Sequence, residues 1–249
     1  MIYKHRKVLN QKAFTIIELM IATAILSVIL VIVSAMMIGI GNLYYKGTSQ
    51  ASVQDNVRTI TDEISQDLQL NGSDLLTGTN TNPALPISYC IGTTRYTSIL
   101  GKQITNSSSL GANQSYHVLW RDSVPAGTCN NIGYNTFVNS SSPPTNPSTD
   151  PGTELIGPNS LLTYFTISTG ISPFLITIGE AYGPSDLLCD SGYTSGGVND
   201  CSNNTTDSTH IWNPNPPVNP LQNEIRCKGF AQNQLCSTDY LTTTVTERL

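Results

Sequence analysis

Leu19–Tyr45, LMIATAILSVILVIVSAMMIGIGNLYY, is a run of 27 consecutive residues without a charge, thirteen of them Ile, Leu or Val. As an α-helix it is about 40 Å long, enough to cross a hydrocarbon core of about 30 Å with some tilt. The alternative, a helix buried in a soluble globule, suits the run poorly, because such helices average only about 11–12 residues. The flanks then set the orientation. Lys4, Arg6, Lys7 and Lys12 precede the run with no acid among residues 1–13, and Lys46 alone follows within ten residues. By the positive-inside rule the N-terminus stays in the cytoplasm and the body is exported.

One residue is unexpected for an ordinary anchor. Glu18 lies in the otherwise apolar stretch Phe14-Thr15-Ile16-Ile17-Glu18-Leu19-Met20-Ile21. A carboxylate in a membrane segment costs about 2.5–3.5 kcal/mol at the bilayer centre and less near the edge. Alone, it would be read as a side chain snorkelling to the headgroups. It follows a short basic leader that ends in Gln11-Lys12-Ala13, a small residue before the hydrophobic Phe14.

Lys12-Ala13-Phe14-Thr15-Ile16-Ile17-Glu18-Leu19 resembles the N-terminal signal of type IV prepilins and type II secretion pseudopilins. The resemblance implies that a membrane peptidase and methylase cuts between Ala13 and Phe14 and N-methylates the new terminus. Ala13 stands where the family more often has Gly. The resemblance also implies that Glu18 attracts the terminal amine of a neighbouring subunit, an assembly register and not a catalyst. Burying two opposite charges together recovers much of the cost of burying either alone. The implied partners are other pilins or pseudopilins, the prepilin peptidase/methylase and the cytoplasmic membrane. The implied destination is the inner membrane, then an extracytoplasmic filament.

A cut by the general signal peptidase is the competing reading. Val33-Ser34-Ala35 loosely matches a small-x-small site and would release a soluble secreted protein. The apolar region before it is about 20 residues, against the usual 7–15, and hydrophobicity continues through Met36-Met37-Ile38.

The helix is expected to outlast the membrane. Val53, Val57, Ile60, Ile64 and Leu68 recur at helical spacing, with Asp55, Arg58, Asp62, Glu63 and Asp67 largely between them. Asn71-Gly72 is a plausible stop. A helix over residues 14–70 would be roughly 85 Å long. Gly39, Gly41 and Gly47 read either as soft points or as sites of close packing. The segment Gln54-Asp55-Asn56-Val57-Arg58, continuing to Gln69, is similar to the post-membrane helix of larger minor pilins of the PilW and type II secretion J-component kind.

The body differs in composition. Residues 14–249 hold 8 basic and 17 acidic side chains, so no broad basic field is available to gather nucleic acid. The even set Cys90, Cys129, Cys189, Cys201, Cys227 and Cys236 points to disulfides in an oxidising compartment. Six cysteines allow about 15 pairings. Nearness in sequence favours Cys227–Cys236 and Cys189–Cys201, which leaves Cys90–Cys129. Strand-like runs occur at Tyr116–Trp120, Leu161–Ile167, Phe174–Ile178 and Leu241–Val245, separated by turn-rich stretches such as 139–152 and 213–220. The expected architecture is α+β and pilin-like: a leader over 1–13, a long helix over 14–70 with its transmembrane part at about 19–45, and an extracytoplasmic head over 71–249. In that head an antiparallel sheet lies on the helix.

Catalytic motifs are absent from the sequence: no G-x-S-x-G, P-loop or zinc pattern occurs. His117 and His210 read as packed or surface residues, and no cofactor is expected. Asp186, Asp190, Asp200 and Asp207 lie in a segment rich in Asn, Ser and Gly whose oxygen chemistry suits Ca²⁺. Their spacing matches no EF-hand, so a solvated acidic loop is the favoured reading. The functional expectation is a structural filament subunit, a minor pilin or pseudopilin, and not an enzyme. The alternatives are a tip-located pilin that contacts a surface or DNA, and an anchored or secreted exported protein.

Overall fold

A computed structural model of the chain describes residues 14–78, 85–106, 110, 114–144, 152–168, 173–184, 188–190, 194–195, 198–199, 225–227 and 236–247. The expected leader over residues 1–13 therefore lies outside the described residues. The chain divides into two compact units, Met1–Tyr44 and Tyr45–Leu249. One helix, α1 (Ile16–Asn71), runs through both.

In the first unit the apolar side chains of α1 are uncovered. Every residue from Phe14 to Ile40 is exposed. Hydroxyls within this stretch bond to the helix itself: Thr23 Oγ1 donates to Met20 O at 3.0 Å, Ser27 Oγ to Ala24 O at 2.8 Å and Ser34 Oγ to Leu30 O at 2.7 Å. Such back-bonding to the preceding turn keeps each hydroxyl paired without water, as a hydrocarbon surrounding would require. A Cβ added at Gly39, Gly41 or Gly47 would meet nothing within 4 Å. These glycines therefore make no close packing with the described residues, and the helix continues unbroken through them.

In the second unit α1 behaves as an amphipathic helix. Val53, Val57, Ile60, Thr61, Ile64 and Leu68 are buried. Their spacing of three and four residues puts them on one face, because an α-helix turns once in about 3.6 residues. The body follows as β1 (Leu75–Thr77), β2 (Ile87–Ile91), β3 (Thr94–Ser98), β4 (Gln103–Ile104), β5 (Gln114–Ser115) and β6 (Leu119–Ser123). A short helix α2 (Tyr134–Phe137) precedes β7 (Thr153–Glu154), β8 (Ser160–Ile167) and β9 (Phe174–Tyr182). The remaining strands are β10 (Leu188–Asp190), β11 (Thr194–Ser195), β12 (Val198–Asn199), β13 (Ile225–Cys227) and β14 (Ser237–Val245).

These strands form two five-stranded sheets, ordered β1-β2-β3-β6-β7 and β14-β9-β8-β4-β5, and two small ribbons, β10-β13 and β11-β12. All pairings are antiparallel except β4 with β5. The fold is thus α+β and pilin-like, with two sheets where one was expected. A single core joins the apolar stripe of α1 to both sheets through Tyr89, Ile91, Tyr96, Leu119, Leu162, Ile176, Ile178 and Val245.

Two strands escape a hydropathy reading. β2 and β3 form a hairpin whose two-residue turn uses Gly92 at φ 60°, a conformation that favours glycine. Ser88 and Thr97 are opposed in this hairpin and fully buried, their hydroxyls 2.8 Å apart. Each satisfies the other, so polar residues occupy core positions. The expected strand at Tyr116–Trp120 is displaced to Leu119–Ser123. The Glu154 carboxylate accepts from Val118 N at 3.2 Å and Leu119 N at 2.7 Å, while Tyr116 N donates to Val138 O at 3.1 Å. Those bonds take the backbone groups that a longer ladder would have used.

Cys90–Cys129 and Cys227–Cys236 are disulfide-bonded, with Cα atoms 5.7 and 5.8 Å apart. The Cys189–Cys201 pairing lies outside the described residues.

Candidate functional site

The N-terminal stretch of α1 is built around Thr15 and Glu18. Thr15 N and Thr15 Oγ1 both donate to Glu18 Oε2 at 2.9 Å, and Glu18 N donates to Thr15 Oγ1 at 3.3 Å. This is a capping box, the Thr-x-x-Glu pattern in which two orphan amides of the first helical turn are satisfied reciprocally. Sequence reasoning missed it, although the signal was present as Thr15-Ile16-Ile17-Glu18. Glu18 thus has a role within its own chain as well as any role between chains. Both Thr15 donors fall on one carboxylate oxygen, so the second oxygen has capacity for another donor.

Around this box the surface is apolar. Phe14 is 84% exposed, and Ile16, Ile17, Leu19, Met20 and Ile21 are exposed with it. Over α1 the most apolar window has mean hydropathy 2.9 with none of it buried, so the helix is long and apolar enough to cross a membrane. The arrangement places a carboxylate at the start of a helix whose flanks demand apolar company. The positive end of the helix dipole favours that charge. Ala13, the other half of the expected cleavage site, lies outside the described residues.

In the body, the titratable groups are held by packing. His117 is buried, its ring edge-on to Trp120 with centroids 4.7 Å apart and tilted against Phe137 at 5.9 Å. Its Nε2 lies 3.1 Å from Ser142 O, and its Nδ1 lies 3.4 Å from Glu154 Oε2. The first is a donated bond, since a carbonyl only accepts; the second separation is longer than a good hydrogen bond. Burial pushes the Glu154 carboxyl above its ordinary range, opposed by nearby His117 and by the bonds from the Leu119 and Val118 amides.

Glu180, also buried, accepts from Asn56 Nδ2 at 2.6 Å, which ties β9 to α1. Burial raises its carboxyl too, opposed by the bonds from Ser160 and Asn56. Tyr96 donates its hydroxyl to Asp67 Oδ2 at 2.8 Å and joins β3 to the same helix; burial, then Asp67, pushes the phenol up.

On the first sheet, Arg95 and Asp122 oppose each other across β3 and β6 and form an ion pair, Arg95 Nε to Asp122 Oδ1 being 2.9 Å. Arg95 Nη1 also donates to Asn130 O at 2.8 Å, and Ser88 N donates to Asn131 Oδ1 at 2.9 Å. With the Cys90–Cys129 bond, these contacts clamp the segment around 129–131 to the sheet.

Among the described residues, no group of three or more His, Cys, Asp or Glu is placed to hold a metal ion. The acidic candidates Asp186, Asp200 and Asp207 lie outside the described residues, as does His210, and only the backbone of Asp190 is described.

A family model of the prokaryotic N-terminal methylation motif matches residues 9–34. No curated protein and no solved structure matches the chain. The matched segment spans the expected cut site, the capping box and the first half of the apolar run. It supports a type IV prepilin-like chain, an exported pilin-like subunit, and implies processing by prepilin peptidase and assembly with other pilins. The uncovered apolar helix is consistent with membrane anchoring and display in a surface filament.

Proposed function

We propose that this protein is a minor pilin or pseudopilin, a structural subunit of a type IV pilus or type II secretion-like filament. Its N-terminus lies in the cytoplasm until prepilin peptidase cuts between Ala13 and Phe14 and the new terminus is methylated. The observation that carries this reading is the methylation motif on a helix whose apolar side chains are uncovered from Phe14 to Ile40. Such a surface needs lipid first and other helices afterwards. Glu18 supplies the register: its carboxylate meets the protonated terminal amine of an adjacent subunit among packed apolar side chains. The similarity of residues 54–69 to larger minor pilins supports a minor rather than a principal subunit.

The test is the intact mass of the mature chain from wild-type cells. Loss of residues 1–13 plus one methyl group is expected; a chain starting at Met36, or one retaining the leader, overturns the reading. Deletion of the gene then separates the two filament types. Lost surface pili point to a pilus, whereas lost exoprotein secretion with normal pili points to a secretion pseudopilus.

A further inference from the structure

The loop 139–144, which leaves α2, is tied to distant parts of the head by one hydrogen bond among the described residues. Asn139 Nδ2 donates to Asn135 Oδ1 at 3.0 Å and Ser142 N donates to Ser140 Oγ at 3.2 Å, both local contacts. The distant bond runs from His117 Nε2 to Ser142 O at 3.1 Å, across 25 positions of sequence. His117 is itself held in place: its ring packs on Trp120 and Phe137, and its carbonyl accepts from Ser115 Oγ at 2.5 Å.

Nδ1 of the same ring is buried without a hydrogen-bond partner, and Glu154 Oε2 lies 3.4 Å from it. The other carboxylate oxygen accepts from the Val118 and Leu119 amides at 3.2 and 2.7 Å, which fixes the carboxyl beside the ring. Among the described residues, the other charges on the elements packed there are engaged elsewhere. On β6, Arg121 pairs with Glu63 and Asp122 with Arg95, while α2 and residues 139–144 carry no charged side chain. A neutral imidazole has a single N–H to place. On Nε2 it serves Ser142 but leaves the Nδ1 lone pair facing a carboxylate; on Nδ1 it serves Glu154 but leaves Nε2 with nothing to donate. Both contacts are satisfied together only when the pair holds one proton more, on Nδ1 or on Oε2.

We infer that His117 and Glu154 form a proton-operated latch that holds the loop 139–144 against the head and releases it as pH rises. In the held state the shared proton lies between Nδ1 and Oε2, and Nε2 donates to Ser142 O. The proton belongs to the pair, so its loss is one event and not the titration of either residue alone. Once it leaves, the carboxylate draws the remaining N–H to Nδ1, because a bond to a charged acceptor is stronger than one to a neutral carbonyl. Nε2 then presents a lone pair to the Ser142 carbonyl, and the tie is broken. Burial, which raises the Glu154 carboxyl, favours the proton-holding state. The inference needs only the geometry of the head and does not rest on the filament role.

The experiment places a nitroxide amino acid at the exposed Ser141 of the full-length chain in detergent and reads its electron paramagnetic resonance line width. Spectra are taken at about pH 6 and about pH 9, on either side of the ordinary imidazole value of about 6.5. In the unsubstituted head the line is expected to narrow at the higher pH, with the near-ultraviolet circular dichroism unchanged. Glu154→Gln supplies the control. Its amide oxygen can keep the Val118 and Leu119 bonds while its N–H donates to Nδ1, so the neutral ring keeps its own proton on Nε2. That variant is expected to retain the broad line at about pH 9. A line that does not change with pH overturns the proposal, as does a narrowing that Glu154→Gln shares. Narrowing accompanied by loss of the near-ultraviolet signal reports global unfolding and overturns it too.

Discussion

Glu18 caps its own helix, and under the proposed function it also meets the terminal amine of a neighbouring subunit; two substitutions separate these roles. Gln is accepted at the third position of a capping box, so Glu18→Gln removes the charge and keeps the cap. Helix content in detergent, read by circular dichroism, is expected to stay near wild type while incorporation into sheared filaments is lost. Thr15→Val does the reverse: the carboxylate remains, and the helix start loses about 0.5–2 kcal/mol, the usual worth of an N-cap. Retained incorporation of the Glu18→Gln protein would sink the charge-docking reading. A second residue-scale prediction concerns Glu180. Burial raises its carboxyl, so the folded state favours the protonated form. Stability is therefore full below the ordinary carboxylate range and declines as pH rises through the folded-state value. Glu180→Gln is expected to raise Tm at pH 8 by roughly 2–4 °C for each kcal/mol recovered, with the difference vanishing near pH 4. Glu154 has the same sign and keeps part of the slope in that variant.

α1 is one element with two kinds of surface. Its first part is apolar all round and uncovered, while its later part buries one stripe against the sheets. Ile64 lies fully buried in that stripe, so Ile64→Ala is expected to cost about 2–5 kcal/mol in urea unfolding followed by the near-ultraviolet signal of the body. Gly72 ends the helix against the ring of Phe174: an added Cβ would sit 2.5 Å from Phe174 Cε2. Gly72→Ala is expected to cost about 1–3 kcal/mol by overpacking, and Phe174→Leu in the same chain should recover part of it. The stripe and the stop at Asn71-Gly72 were legible because helical periodicity and helix punctuation are local signals. The clash at Phe174 was not, since 102 positions separate the two residues in sequence.

Across the whole molecule, stability depends on links between distant parts of the chain. Cys90–Cys129 closes 39 residues and pins the segment that Arg95 and Ser88 also hold. Replacing both cysteines by Ala is expected to cost about 2–4 kcal/mol, measured by thermal unfolding of the oxidised proteins. The side-chain bonds Asn56–Glu180 and Tyr96–Asp67 join the same helix to different sheets, so loss of either should loosen the body without unfolding the N-terminal half of α1.

The sequence alone determined the long helix, its apolar and amphipathic parts, the prepilin-like N-terminus and most of the longer strands. Those features follow from residue periodicity and from the energy of placing charge in hydrocarbon, which neighbouring residues already specify. Tertiary structure decided the second sheet, the β2–β3 hairpin and the displacement of β6. It also decided the burial of His117 with Glu154 and the full nine-residue length of β14. At β6 and around Glu154, polar groups are satisfied by partners far away in sequence, so their individual hydropathy gives no indication of where they lie.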